Sequence, residues 1–141
     1  LEETLGLTVE LSVAGDNSLF IADRNEGNYD FFLGGWYSDY NDPLDFLYTN
    51  YTDAYGMSFG GYSNTDYDAL ADQLVGETDM DKRLDIYKQM EQILLLDDCA
   101  FAPIYYATKQ VLLQNWVKDY RTSSFGASAE FIWTYIDGKN Q

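Results

Sequence analysis

The sequence predicts an α/β fold, and three observations carry that expectation. Leu7 to Val13 alternates apolar and polar residues, and a capped helical stretch and the apolar run Tyr29 to Leu33 follow it. Two helices with apolar residues at i, i+3, i+4 spacing lie between residues 64 and 96. Strand-like runs return after residue 99, and such alternation of strand and helix is how sheets covered by helices are built. The 141 residues, 46% of them hydrophobic and 23% charged, suit one folded domain.

In chain order, Leu1 to Gly6 (LEETLG) reads as the last turn of a helix closed by Gly6, and with no initiating Met the chain is expected to be a piece of a longer protein. Val9, Leu11 and Val13 share one face of the first strand. Asp16, Asn17 or Ser18 can cap a helix through about Asn25, which Gly27 can end. With the second strand, Tyr29 to Leu33, this makes a β-α-β unit and a parallel pair. Trp36 to Gly61 has little periodicity and reads as a long aromatic loop with a short helix after Pro43; loops this long are usually functional or disordered, and the aromatics favour function. Asn64 or Thr65 caps the next helix, whose stripe is Tyr67, Leu70, Ala71 and Leu74, with Gly76 at its end. Thr78 with Asp81 resembles a capping box. The helix behind it runs to about Leu96, with Met80, Leu84, Tyr87, Met90 and Ile93 or Leu94 inward, and Lys82, Asp85, Lys88 and Gln92 toward water. Cys99 to Ala107 is strand-like, with Pro103 marking an edge or bulge. Val111 to Leu113 and Phe131 to Ile136 are further strand candidates, and Asp137 to Gln141 is a polar, frayed tail.

Composition excludes several chemistries. Lys plus Arg is 8 against 24 Asp plus Glu, a net charge of −16, which argues against a nucleic-acid partner because phosphates need a basic footprint. The absence of His removes His-based general bases, Ser-His-Asp triads and the commonest zinc ligand. One cysteine, Cys99, forms no intrachain disulfide or paired-cysteine metal site; its apolar surroundings predict a small core residue. No apolar run approaches the ~20 residues of a membrane span. From Glu26 to Asp81 there are twelve acidic residues and no Lys or Arg, and eight tyrosines lie between Tyr29 and Tyr67. Such a segment suits amines, peptides or sugars better than phosphates.

The sharpest local feature is Gly34-Gly35-Trp36-Tyr37-Ser38-Asp39-Tyr40-Asn41-Asp42-Pro43, at the carboxyl end of the second predicted strand, where open α/β sheets place ligands. Glycines let another backbone come close, Trp36 and the tyrosines offer flat walls, and Asp39 offers a charge. Asp39, Asn41 and Asp45 have part of a calcium-loop spacing, but Pro43 and Leu44 stand where an EF-hand needs an oxygen donor and Gly, so no metal is expected. Asp39 with Asp42 or Asp45 could be set across a sugar as a glycosidase pair, a weak signal in any acidic loop. Asn50-Tyr51-Thr52 matches a glycosylation sequon.

The string GWYSDYNDP, followed by YSNTDYD, DKRLDIYKQMEQILLLDD and APIYY, resembles the C-terminal part of the oligopeptide-binding proteins of ABC importers, the peptide/nickel class of extracytoplasmic solute-binding proteins. The strand-helix-strand before it resembles the family too, so the likeness spans Leu5 to about Tyr135. It implies one lobe of a two-lobed, periplasmic-binding-protein-like clamshell. Residues 1–141 would be the C-terminal portion of the protein, an incomplete lobe whose final strand near 131–136 belongs with the other lobe. It implies peptide capture outside the cytoplasm, in a periplasm or as a cell-surface lipoprotein, for delivery to ABC permease subunits. There is then no reaction and no cofactor, and membrane attachment is only through a lipid anchor outside this chain. Such proteins hold extended peptides by main-chain bonds, in the manner of strand addition. Carried over, Asp39 pairs with the peptide α-ammonium, the backbones of Gly35 and Tyr37 bond its main chain, and Trp36 walls a side-chain pocket. Tyr37 and Tyr40 flank Ser38-Asp39, and bulk at Tyr37 narrows that pocket. The rival reading is a carbohydrate-binding or glycoside-hydrolysing domain that stacks sugars on the same surface.

Overall fold

A computed structural model describes residues 2–52, 59–126 and 129–139. The chain divides into two compact units, Leu1–Gly34 and Gly35–Gln141.

In the first unit, α1 (Glu2–Leu5) is the short helical turn expected there. α2 (Asn17–Glu26) has the anticipated caps. The Asp16 carboxylate accepts from the Ser18 and Leu19 N–H groups, satisfying donors that helix geometry leaves open, and Gly27 closes the helix at φ 72°. Phe32 sits edge-on to Phe20 and Tyr29, with centroids 6.1 and 5.1 Å away. Neither expected strand of this unit forms. Residues 7–13 and 29–33 carry no ladder hydrogen bonds, so the β-α-β unit and its parallel pair are absent. Alternation supplies a strand with one apolar face, but a strand exists only where a neighbour takes its N–H and C=O groups. Here Val9 N–H goes to the Glu2 carboxylate at 3.0 Å, and Leu11 and Val13 are exposed.

The second unit is built on three helices. Pro43 and Asp42 start α3 (Leu44–Tyr51): proline fits the start of a helix, and the Asp42 carboxylate takes the Leu44 N–H at 2.9 Å. This is the helix expected after Pro43. Residues 53–58 of the long aromatic loop lie outside the described residues. Phe59–Gly61 forms one 3-10 turn. α4 (Thr65–Leu74) is capped by Asn64, whose side-chain oxygen accepts from Asp66 and Tyr67 N–H groups. Asp66 and Asp68 fall in its first turn, where the helix dipole favours carboxylates. The helix stops at Val75, one residue before Gly76. Its expected stripe is correct: Tyr67, Ala71 and Leu74 are buried and Leu70 packs beside them.

α5 (Met80–Gln92) departs from expectation twice. Its cap is Asp79, not Thr78, because Glu77 folds back and takes the Thr78 and Asp79 N–H groups. Its buried face is Ile86, Tyr87 and Met90, continued by Leu94, whereas Met80 and Leu84 are exposed. The stripe is thus rotated, and a wider π turn, Ile93–Asp97, brings Leu94 inward. Leu47, Tyr51, Tyr67, Ala71, Leu74, Ile86, Tyr87, Met90 and Leu94 form the core of this unit. Each large apolar side chain among them contributes about 1.5–3 kcal/mol by leaving water.

After α5 the expected strands at 99–107 and 111–113 are not formed; both stretches are exposed and without ladder bonds. Cys99 is exposed rather than in the core, and stands at φ 49° where the chain leaves the π turn. Of the run 131–136 only β2 (Tyr135–Ile136) is a strand, and it pairs antiparallel with β1 (Val117–Lys118), which sequence periodicity did not single out. An isolated bridge between Arg121 and Glu130 extends the same hairpin. The last two residues of the expected polar tail, 140 and 141, lie outside the described residues, and Asp137 N–H donates to Trp116 C=O at 2.8 Å.

Candidate functional site

Gly35 to Tyr40 forms a loop that runs into the start of α3, and its shape is set by a carboxylate inside the helix. Asp45, in the first turn of α3, is 1% exposed. One of its oxygens, Oδ2, accepts both the Trp36 indole N–H and the Asp39 backbone N–H, each at 2.9 Å. The charge is out of water but hydrogen-bonded, as a buried carboxylate must be, and it lies near the positive end of a helix. The loop is therefore folded back over the helix start. From the other side, Gly126 N–H donates to Ser38 C=O at 2.8 Å. Gly126 has φ +59°, a left-handed conformation that favours glycine, and a Cβ there would stand 3.4 Å from the Asp39 carbonyl oxygen.

Of the residues expected to form the site, Trp36 and Ser38 are half-buried, and Gly35, Tyr37, Asp39 and Tyr40 are exposed. The Asp39 carboxylate makes no hydrogen bond or ion pair among the described residues, while the peptide unit that leads into it is held at both edges. A Cβ on Gly35 would meet nothing within 4 Å, so space for another chain is open there. Lys109 Nζ lies 4.9 Å from the centroid of the Tyr37 ring, a cation–π contact that brings a cation to a stretch with none of its own.

Asp42 has a different task. It accepts from Arg83 Nη2 at 2.9 Å and from the Tyr87 hydroxyl, besides the Leu44 N–H. Burial alone pushes its carboxyl up, but the Tyr87 hydroxyl, the Leu44 N–H and the Arg83 cation outweigh it and hold the carboxyl below its ordinary value. Burial, then the Asp42 carboxylate, push the Tyr87 phenol up to about 12, so it is a protonated donor at neutral pH. Arg83 also donates to the Leu74 and Glu77 carbonyls at 3.2 and 3.1 Å. One guanidinium thus closes the end of α4, holds the turn before α5 and fixes the residue that starts α3. Sequence reasoning missed this hub. Its signal was an arginine beside a long acidic stretch, four residues before a core tyrosine on one helix face.

The carboxylates named in the other readings already have partners. Asp42 and Asp45, the partners offered to Asp39 for sugar hydrolysis, are committed to Arg83 and Tyr87 and to Trp36 and the Asp39 N–H. The same bonds occupy Asp45 as a calcium ligand. Asn50 of the sequon is 1% exposed and donates its amide to Phe46 C=O at 3.1 Å, so it is no glycosylation acceptor in the folded chain.

No family model matches the chain. By structure, the chain has the fold of part of a peptide-binding protein of the periplasmic-binding-protein-like type: 96% of it superposes on 25% of the pheromone receptor PrgZ, solved for its mode of peptide binding, with a TM-score of 0.75 and 29% identity. By sequence, it is 30% identical over 119 residues to the periplasmic oligopeptide-binding protein OppA of Escherichia coli, covering 84% of this chain and 21% of that protein. It is 33% identical over 121 residues to the oligopeptide-binding protein OppA of Bacillus subtilis, covering 84% of this chain and 20% of that protein. The chain is therefore related to the oligopeptide-binding proteins, and it spans about a fifth of the length of the curated relatives it matches.

Proposed function

We propose that the chain is the C-terminal portion of one lobe of a clamshell protein that captures peptides outside the cytoplasm and passes them to the permease of an ABC importer. In this reading it performs no reaction, and anchoring to a membrane, where present, is by a lipid outside this chain. The names of its relatives support peptide as the ligand class. The observation that carries the reading is the loop at 35–40. Its backbone is tied by Asp45 and Gly126, and it presents an exposed carboxylate, Asp39, with no partner among the described residues. A fixed loop with an open anion is what recognition of a peptide α-ammonium requires. Gly35 and Tyr37 then offer main-chain groups, Trp36 and Tyr37 offer walls, and Ser38 and Tyr40 complete the loop that contacts the ligand.

A charge-assisted bond to a peptide ammonium contributes about 1.5–3 kcal/mol, and a desolvated cation left unpaired costs about 3–5 kcal/mol. In the full-length protein that carries this segment, Asp39→Asn is expected to weaken free-amine peptides by about tenfold to several thousandfold. N-acetylated peptides carry no such charge and should change far less. Calorimetry of the wild-type protein and of the Asp39→Asn variant, each with free and acetylated peptide, checks this. Equal losses for both peptide forms would remove Asp39 from the ammonium site.

A further inference from the structure

We infer that Asp45 is a positioning residue for ammonium recognition: it sets how strongly the binding protein discriminates free-amine from blocked peptides, without touching the ligand. The inference rests on the peptide reading above. Asp45 is 1% exposed, so a ligand does not reach it. Its Oδ2 holds two points of the loop at once, the Trp36 indole and the Asp39 backbone N–H, both at 2.9 Å. Nothing else among the described residues bonds the Asp39 N–H, and the Asp39 side chain itself has no bond to steer it. Gly126 N–H holds the Ser38 carbonyl, the opposite edge of the same peptide plane. A plane held at one edge still tilts about that anchor, and the bond to Asp45 at the other edge stops the tilt. The direction of the Asp39 Cα–Cβ vector therefore depends on one carboxylate oxygen six residues further along, which α3 fixes by carrying Asp45 in its first turn. Releasing Asp45 loosens the plane that aims Asp39 and removes the acceptor of the Trp36 indole N–H. A charge-assisted bond depends steeply on distance and angle, so the α-ammonium contact weakens more than main-chain contacts spread along the peptide.

The test uses the full-length protein with Asp45→Ala and Asp45→Asn. The ratio of affinities for free-amine and N-acetylated forms of one peptide is read by calorimetry, and the Trp36 indole N–H resonance, assigned with Trp36→Phe, is followed without peptide. Asparagine keeps an acceptor where Oδ2 stands and removes the charge, so it should keep the ratio within about threefold and keep the indole resonance shifted and slow to exchange. Alanine removes the acceptor and should lower the ratio about tenfold or more while the indole N–H exchanges freely. A ratio unchanged in Asp45→Ala, with only overall affinity or melting temperature reduced, makes Asp45 merely structural and overturns the inference while leaving the peptide reading standing. An asparagine variant as impaired in ratio as alanine shows that charge, not placement, acts, and also overturns it. A wild-type protein that binds no peptide, or binds both forms equally, overturns the peptide reading, and this inference falls with it.

Discussion

Asp39, Asp42 and Asp45 recur at every third position through one loop and helix start, yet each carboxylate meets a different fate. Asp39 is left to solvent, Asp42 is shared by a guanidinium and a phenol, and Asp45 is buried under an indole and an amide N–H. Position relative to Pro43 decides this, because the helix turns Asp45 inward and leaves Asp42 at the mouth facing Arg83. The Asp42 pairing has a pH signature. Its carboxyl is held below the ordinary value, so folding favours the ionised form. The stability it contributes is complete above the unfolded value near 3.8 and is lost as pH falls through the lower folded value. Asp42→Asn is expected to cost about 1–3 kcal/mol at neutral pH by weakening bonds to Arg83 and Tyr87. The gap between variant and wild type should close as pH is lowered below about 4. Urea unfolding of both proteins between pH 3 and 7 checks this, and a gap independent of pH would mean that Asp42 acts through packing alone.

At the scale of elements, caps and stripes hold where local chemistry is sufficient. Asn64 accepts from two N–H groups of α4 with its side-chain oxygen, and its amide donates to Asp98 at 2.7 Å, where the Tyr62 hydroxyl also donates at 2.7 Å. One side chain thus starts α4 and ties it to the exit of the π turn. Asn64→Ala should destabilise the fold by about 1–2 kcal/mol, at the upper end for a cap because two structures share it. Chemical denaturation measures this directly, and a loss under a few tenths of a kcal/mol would show that the Asp98 link carries no energy. The same contrast explains what was legible in the sequence. Asp16, Gly27, Asn64 and the Tyr67-Ala71-Leu74 stripe announce themselves because they depend on neighbours within four residues. The rotation of α5 does not, since Ile86 is chosen over Leu84 by where α3 and α4 lie. Residues 7–13, 29–33 and 99–107 have strand composition, but a strand needs a partner that composition does not name. The loop at 35–40 stood out as a candidate site through its glycines, aromatics and family likeness, and its role in binding is the proposal made above. Asp45 and Arg83 were not, because each acts through contacts that only the folded chain creates.

At the scale of the whole molecule, charge and length together bear on affinity. A net charge of −16 attracts cationic groups from a distance, which raises association rates more than it lengthens residence. Residence depends on how much of a ligand is removed from water. The relatives are several times longer, this chain covering 21% of OppA from Escherichia coli and 25% of PrgZ. In the clamshell reading, a peptide is enclosed by two lobes that close around it, and the second lobe supplies contacts and excludes solvent. With only this chain present, an ammonium at Asp39 stays hydrated, and an exposed ion pair contributes about 0–1 kcal/mol rather than the larger value of a shielded one. The unshared entropy of immobilising an extended peptide is then not offset. The 141-residue chain alone is therefore expected to bind peptides at least about a hundredfold more weakly than the full-length protein, with a steep loss of what remains as salt is raised toward 0.15 M, where the screening length is about 8 Å. Titration calorimetry of both proteins with one peptide decides it. Submicromolar binding by the isolated chain, insensitive to salt, would show that this segment encloses the ligand by itself and that closure by a second lobe is not what gives the protein its affinity.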